Sequence, residues 1–470
     1  MAYVPHRPPA GPSPLTAASE STRRLVGWIL YGLGMVVGGA LLFALFLVPA
    51  LLDAHSLMLT AMGTGALFAL PLLGVYIWVP WIVDRYDPEP LWALTAVLLW
   101  GAIAACGFSA AINSVVGGVA HILGGKSFGE VVGACISAPL VEEFFKGLAV
   151  FWMFYFRRRD FDGVVDGIIY ATFVALGFAA VENIVYYARA AELDMAKGAG
   201  GALVGTVFIR GIVAPWGHPL YTAMTGIGFG IARETRSAAK RWLAPLAGYA
   251  AAVFLHFVWN LAATLSGALV LVMLPLWFLL VLGFAGLVIW LVVRKGRIIR
   301  DHLKDEVFMG NLTEGELAMI GSFFGRWKAH FSFGGRSGRR FVDAAARLAL
   351  SKWHAARAMG ASKGTVSADF VVPLRQQLHT LRAEVSRALG RAVEQPRPWS
   401  PPQPAHASPY AGQQPQGWRP PVPGGYGGPQ GGGGPQGGGG GYNGPQGGGG
   451  GYGGPGRPGG HGGGGYGGPR

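Results

Sequence analysis

Glu142, Glu143 and Lys146 stand in the middle of residues 131–156, VVGACISAPLVEEFFKGLAVFWMFYF, a stretch apolar and long enough to cross a bilayer. A spanning helix needs about 20 apolar residues, and a charged side chain at its centre costs about 2.5 to more than 10 kcal/mol. Groups that expensive face a protein interior or a wet cavity. Carboxylates held there suit general-base work on a water. Glu142 and Lys146 are four residues apart and Glu143 and Lys146 three, so one ammonium can neutralise either carboxylate on one helix face. The adjacent glutamates lie about 100° apart around a helix, which predicts that one acts as base while the other holds the site together.

Few other ionisable groups fall inside apolar stretches. Of 24 acidic residues only Glu142, Glu143 and Glu182 do, and of 11 histidines only His218 and His256. The basic pair is Lys146 and Arg210, the latter expected to snorkel to the outer surface. At a rise of about 1.5 Å per residue, Glu142, His218 and His256 each lie about 18–22 Å along their spans. All three therefore reach the middle third of a core about 30 Å thick, and Glu182 lies nearer the outer face. Side chains from separate spans at one depth can share one cavity. Within spans, His256 and Asn260 are four apart, as are Glu182 and Tyr186, and each pair would face that cavity. His218 sits in APWGHPLY between Pro215 and Pro219, which can loosen the helix ladder and admit water or a substrate backbone.

His218, His256 and Glu142 make an acceptable catalytic zinc set with a position left for water. A metal-free site would rely on a carboxylate, a water and imidazole or amide donors. No HExxH, GxSxG or Walker motif occurs in the spans, so any hydrolytic site must be assembled from distant helices. The Asp84, Asp87 and Glu89 group in DRYDPEPLW reads as a cytoplasmic turn. An ion- or proton-coupled transporter, or a non-catalytic scaffold or immunity protein, remains open on these residues alone, although no repeat relates the two halves.

The elements that must position these groups are helices. With 51% hydrophobic and only 13% charged residues, the composition is that of a membrane protein carrying a Gly-rich end. Eight apolar spans are expected at about 25–51, 61–83, 91–118, 131–156, 165–188, 203–231, 243–265 and 268–293. Helix is the default because lipid leaves unpaired backbone groups no partner. The fold class is all-α, a polytopic membrane protein of about eight transmembrane helices. Residues 1–24 read as a disordered lead, 25–293 as the membrane domain, 294–395 as a small helical cytoplasmic region, partly amphipathic, and 396–470 as a disordered Gly/Pro/Tyr-rich tail.

The net charge of +14 gathers in alternate loops and after the last span, a pattern that reports membrane orientation rather than nucleic-acid binding. Arg23, Arg24, Arg85, Arg157, Arg158, Arg159, Arg233, Arg236, Lys240 and Arg241 fall on one side, against Lys126, Arg189 and Lys197 on the other. Both termini are therefore expected in the cytoplasm of a multi-pass cell-membrane protein. Cys106 and Cys135 lie inside spans, which excludes a disulfide framework.

Four pieces, EEFFK at Glu142–Lys146, VENIVYY at Val181–Tyr187, GHPLYTAMTGIGFG at Gly217–Gly230 and HFVWN at His256–Asn260, together resemble the PrsW family of intramembrane proteases. The likeness covers roughly residues 25–300. A more distant similarity is to the CAAX prenyl endopeptidase and bacteriocin-immunity superfamily, which also pairs a double glutamate with a later HxxxN. Here Lys146 stands for that group's arginine, one position early, and Glu182 occupies the span where it carries a histidine. The PrsW resemblance implies a metalloprotease, with Glu142, Glu143, Lys146, Glu182, His218, His256 and Asn260 in its site. It also implies a membrane-anchored protein substrate, an anti-sigma factor in a regulated proteolysis cascade.

Overall fold

The computed structural model describes residues 14–52, 57–198, 200–359 and 371–390. Residues 1–13 of the disordered lead expected over 1–24, and all of the disordered tail expected over 396–470, lie outside the described residues; residues 14–24 are instead helical and extend the first apolar helix. Every described element is helical, and no strand occurs among the described residues. In chain order the apolar part comprises α1 (Glu20–Leu52, its helix reaching back to Pro14), α2 (Met58–Val83), α3 (Leu91–Gly124), α4 (residues 126–156) and α5 (Val164–Lys197). It continues with α6 (residues 202–213), α7 (Gly217–Glu234), α8 (Ala238–Leu265) and α9 (Ala268–Phe308).

All but α4, α6 and α7 are long and apolar enough to cross a membrane, which makes six such helices among the described residues. The chain is a multi-pass membrane protein. α4 is one continuous helical run whose apolar character is interrupted by Glu142, Glu143 and Lys146. The single helix expected over 203–231 is instead broken, a correction with a simple cause. Pro215 has no N–H to continue the ladder, so the π-helical turn Val207–Val213 stops and α7 restarts at Gly217. Pro219 sits in the first turn of α7, where a missing N–H costs nothing because that donor would have no intrahelical partner.

α5 is the central helix: 78% of its most apolar window is buried, against 11% for α1 and α2, which face outward. Its neighbours approach it backbone to backbone. A Cβ on Gly167 of α5 would lie 2.2 Å from the Gly226 carbonyl of α7, and one on Gly226 would lie 2.2 Å from that of Gly167. Likewise a Cβ on Gly177 would meet Leu98 O at 2.0 Å, and one on Gly101 would meet Val174 O at 1.9 Å. With no hydrophobic drive between helices in lipid, such close van der Waals packing is what holds them together. Indoles lock α4 from its other side: Trp100 Nε1 donates to Phe145 O (2.9 Å) and Trp152 Nε1 to Gly27 O (2.8 Å).

α9 runs without a break past Val293, followed by α10 (Glu314–Ile320), α11 (Gly325–Ser332), α12 (Arg336–Met359) and α13 (Val371–Leu389). These helices pack around Ile299, Leu303, Phe341, Leu348 and Leu381. Glu306, fully buried, is held there by Arg375 (2.7 Å), Lys352 (2.9 Å) and Asn311 (2.7 Å). The turn between α2 and α3 docks on this region. Tyr86 joins its core, and Asp87 pairs with Arg347 at 3.1 Å.

Candidate active site

Three helices, α4, α5 and α7, converge on Lys146. Its Nζ, fully buried, lies 2.8 Å from Glu143 Oε1, 3.5 Å from Glu142 Oε2 and 3.0 Å from His218 Nδ1, above the Phe178 ring at 3.9 Å. α4 thus presents both glutamates and the ammonium to one point. The adjacent carboxylates were expected to diverge by about 100°; their flexible side chains instead curl to the same cation, because a buried charge needs every partner within reach.

The two glutamates differ in engagement. Glu143 accepts from Lys146, from Thr222 Oγ1 (2.8 Å) and pairs with His256 Nδ1 (3.1 Å). Glu142 Oε1 faces Asn113 Nδ2 at 3.5 Å, while its Oε2 is buried without a hydrogen bond, 3.9 Å from His256 Nε2. Thr222 lies one turn beyond His218 on α7, so a single helix face delivers both.

Glu182 of α5 accepts from Arg210 Nη2 (2.5 Å) and pairs with His218 Nε2 at 2.8 Å. Arg210 therefore does not snorkel outward. It turns inward, donates to Asn183 Oδ1 (2.8 Å) and stacks on the Tyr186 ring (3.8 Å), since a carboxylate in the span needs a counter-charge more than the guanidinium needs water. Glu182, placed nearer the outer face by rise alone, still belongs to the same cluster.

Each imidazole is thus held by a carboxylate through one nitrogen: His218 by Glu182 through Nε2, His256 by Glu143 through Nδ1. Among the described residues His256 Nε2 has no hydrogen-bond partner, whereas His218 Nδ1 meets Lys146; one ring nitrogen of each histidine, with a Glu142 oxygen, forms a group of three donor atoms within 4.8 Å of one another. The two rings meet edge to face at 5.2 Å, and His256 stacks on Tyr221 at 5.1 Å. Both histidines line a cavity with Glu182, Tyr186, Arg210, Gly217, Tyr221 and Asn260; Glu142 and Glu143 are buried next to them and are not among the lining residues. Asn260 also donates to Ala134 O (2.8 Å), a carbonyl in the π-helical turn Val132–Ser137 of α4. Such turns recur at functional sites because they expose backbone groups an α-helix would consume.

All seven expected site residues therefore meet around one cluster. Thr222, Asn113, Asn183 and Tyr221 were not singled out from sequence, because a search restricted to charged groups passes over neutral ones. The i,i+4 spacing of His218 and Thr222 was the signal available. Cys106 and Cys135 are buried free thiols.

Comparison with known proteins bears on the same segment. The model of the PrsW family intramembrane metalloproteases matches residues 89–291, which contain every residue of the cluster. The chain is 28% identical over 182 residues to Protease PrsW of Geobacillus kaustophilus, 38% of this chain and 71% of that relative. It is 26% identical over 223 residues to Protease PrsW of Oceanobacillus iheyensis, 47% of this chain and 92% of that relative. To Protease PrsW of Clostridioides difficile it is 32% identical over 142 residues, 29% of this chain and 58% of that relative. Over this segment the chain is similar to the PrsW family. It is an intramembrane protease, a hydrolase of peptide bonds. No solved structure matches it. The PrsW match stops at Leu291, so the helices after α9 leaves the apolar part lie outside the segment shared with the family model.

Proposed function

We propose that Glu142, His218 and His256 form the reacting centre of this protease, with Glu143, Glu182, Lys146 and Asn260 positioning them. One observation carries the reading: His218 and His256 are each paired with a carboxylate, Glu182 and Glu143 respectively, and each offers a ring nitrogen within 4.8 Å of a Glu142 oxygen. A purely structural salt bridge needs neither the second carboxylate nor the paired imidazoles. The gap of 3.9 Å between Glu142 Oε2 and His256 Nε2 suits an intervening water. Glu142, whose Oε2 makes no hydrogen bond, takes the proton as that water attacks the scissile carbonyl. Glu143, fully engaged with Lys146, His256 and Thr222, holds the base and imidazole in place.

The donor set also fits zinc, since two imidazoles backed by carboxylates and one further carboxylate oxygen match a catalytic site in type and proximity. Glu142, His218 and His256 would hold the ion, which when bound polarises water or a carbonyl. Lys146 competes with any such cation for His218 Nδ1, 3.0 Å away.

The substrate class that goes with the family resemblance is a membrane-anchored protein, an anti-sigma factor being the specific case. Arg23 of α1, Arg158 and, at the end of α7, Arg233 line one cavity with Arg347 of the terminal helices. That common end supports a cytoplasmic placement of both termini in the cell membrane. The site is tested by cleavage of a co-reconstituted single-span substrate: Glu142→Gln is expected to abolish it, and cleavage at the wild-type rate would overturn the assignment. Zinc in the purified protein, lost in His218→Ala and His256→Ala, is the result expected for a metal centre; unchanged turnover after full chelation would overturn that part alone.

A further inference from the structure

Tyr221 is 2% exposed, yet its hydroxyl has no hydrogen-bond partner among the described residues. A phenol can donate and accept, and buried hydroxyls rarely go unpaired unless a ligand or water completes them. This one belongs to the lining of the cavity that also holds His218, His256 and Asn260. Its ring is fixed from two sides, stacked on His256 at 5.1 Å and edge-on to Trp277 at 5.8 Å. The hydroxyl lies beside the first turn of α7, where a Cβ on Gly217 would stand 3.4 Å from it.

The first turn of α7 adds a second feature. This 18-residue helix begins at the cavity, with Gly217 and His218 both in the lining. Gly217 N–H donates back to Ala214 O and Pro219 carries no N–H, so of the leading residues His218 keeps its amide, and the helix dipole places partial positive charge there. A fixed, unpaired O–H beside the positive end of a helix is the arrangement that stabilises a developing oxyanion.

We infer that Tyr221 is a further catalytic residue, donating its hydroxyl hydrogen to the carbonyl oxygen of the scissile peptide as that oxygen becomes negative. This rests on the reading of the cavity as the reacting site. In the step, water adds to the carbonyl carbon, the C=O pair moves onto oxygen, and Glu142 takes the water proton. Tyr221 donates without giving up its proton. When the tetrahedral species collapses, the C=O bond re-forms, the C–N bond breaks and Glu142 returns the proton to the leaving amine nitrogen.

The test compares the full-length wild type, Tyr221→Phe and Glu142→Gln on a single-span substrate in liposomes, with kcat and KM measured separately across pH. Tyr221→Phe should lower kcat about 10²-fold, as loss of one oxyanion donor does, with KM within twofold, an unchanged pH profile and no loss of Tm. A merely structural Tyr221 would leave kcat alone. If Tyr221→Phe cleaves at the wild-type kcat while Glu142→Gln is dead, the inference falls and the site assignment survives. If Glu142→Gln also cleaves normally, both fall. A pH profile that loses a limb in Tyr221→Phe would make the residue a proton carrier and overturn the donor role.

Discussion

Glu143 accepts from Lys146 and Thr222 and pairs with His256, whereas Glu142 keeps one oxygen without a hydrogen bond; this difference separates two residues that the sequence leaves equivalent. It has distinct consequences for two isosteric substitutions. Glu142→Gln should lose activity by about three orders of magnitude or more while lowering the unfolding temperature less than Glu143→Gln does, since the Glu142 contact with Lys146 is the longer one, 3.5 Å against 2.8 Å. Glu143→Gln should lose both, because Lys146 is then left buried with its nearest counter-charge removed, a loss of about 3–5 kcal/mol. Activity assays paired with thermal unfolding in detergent distinguish the two; equal destabilisation would show that the carboxylates share the structural load. The presence of these residues was legible in the sequence, since charged groups in apolar stretches are rare. Their division of labour was not, because it depends on Thr222 and His256, which lie 79 and 113 residues away along the chain from Glu143.

At the scale of elements, α5 and α7 touch through Gly167 and Gly226, with Thr222 one turn before that contact. Gly226→Val should push α7 off α5, lower Tm markedly and lose cleavage through displaced His218 and Thr222; a fully active, stable variant would show that the helices can separate without cost to the site. The turn after α2 gives a pH-dependent counterpart. Burial, and then the negative neighbours Asp166 and Asp87, push Asp84 up to about 8 against the pull of Lys295. The folded protein thus keeps a proton that the unfolded chain releases near its ordinary carboxylate range. The sign follows: this group favours folding at low pH, and its contribution is lost as pH rises from about 4 toward about 8. Asp84→Asn should flatten the fall in Tm between about pH 4 and about pH 8; an unaltered slope would place the dependence elsewhere. The sequence showed these acids as a turn but could not show that the turn is buried by α9 and the helices beyond it.

Over the whole molecule, the terminal helices are tied to the membrane bundle by the unbroken α9 and by Tyr86 and Asp87. Their polar centre is Glu306, gripped by Arg375 through two nitrogens. Arg375→Ala should cost about 1.5–3 kcal/mol, the worth of hydrogen bonds to a charged group, seen as faster protease nicking within residues 294–390. Unchanged nicking would mean that Lys352 and Asn311 suffice for Glu306. What the sequence alone determined is the helical class, the membrane setting and the short set of ionisable residues, because lipid forbids unpaired backbone and penalises charge at any position along a span. What only the tertiary structure decided is which atoms meet: the break before Gly217, the inward turn of Arg210, and the carboxylate behind each histidine. Those depend on rotation and close approach between helices far apart in the chain, which local periodicity does not encode.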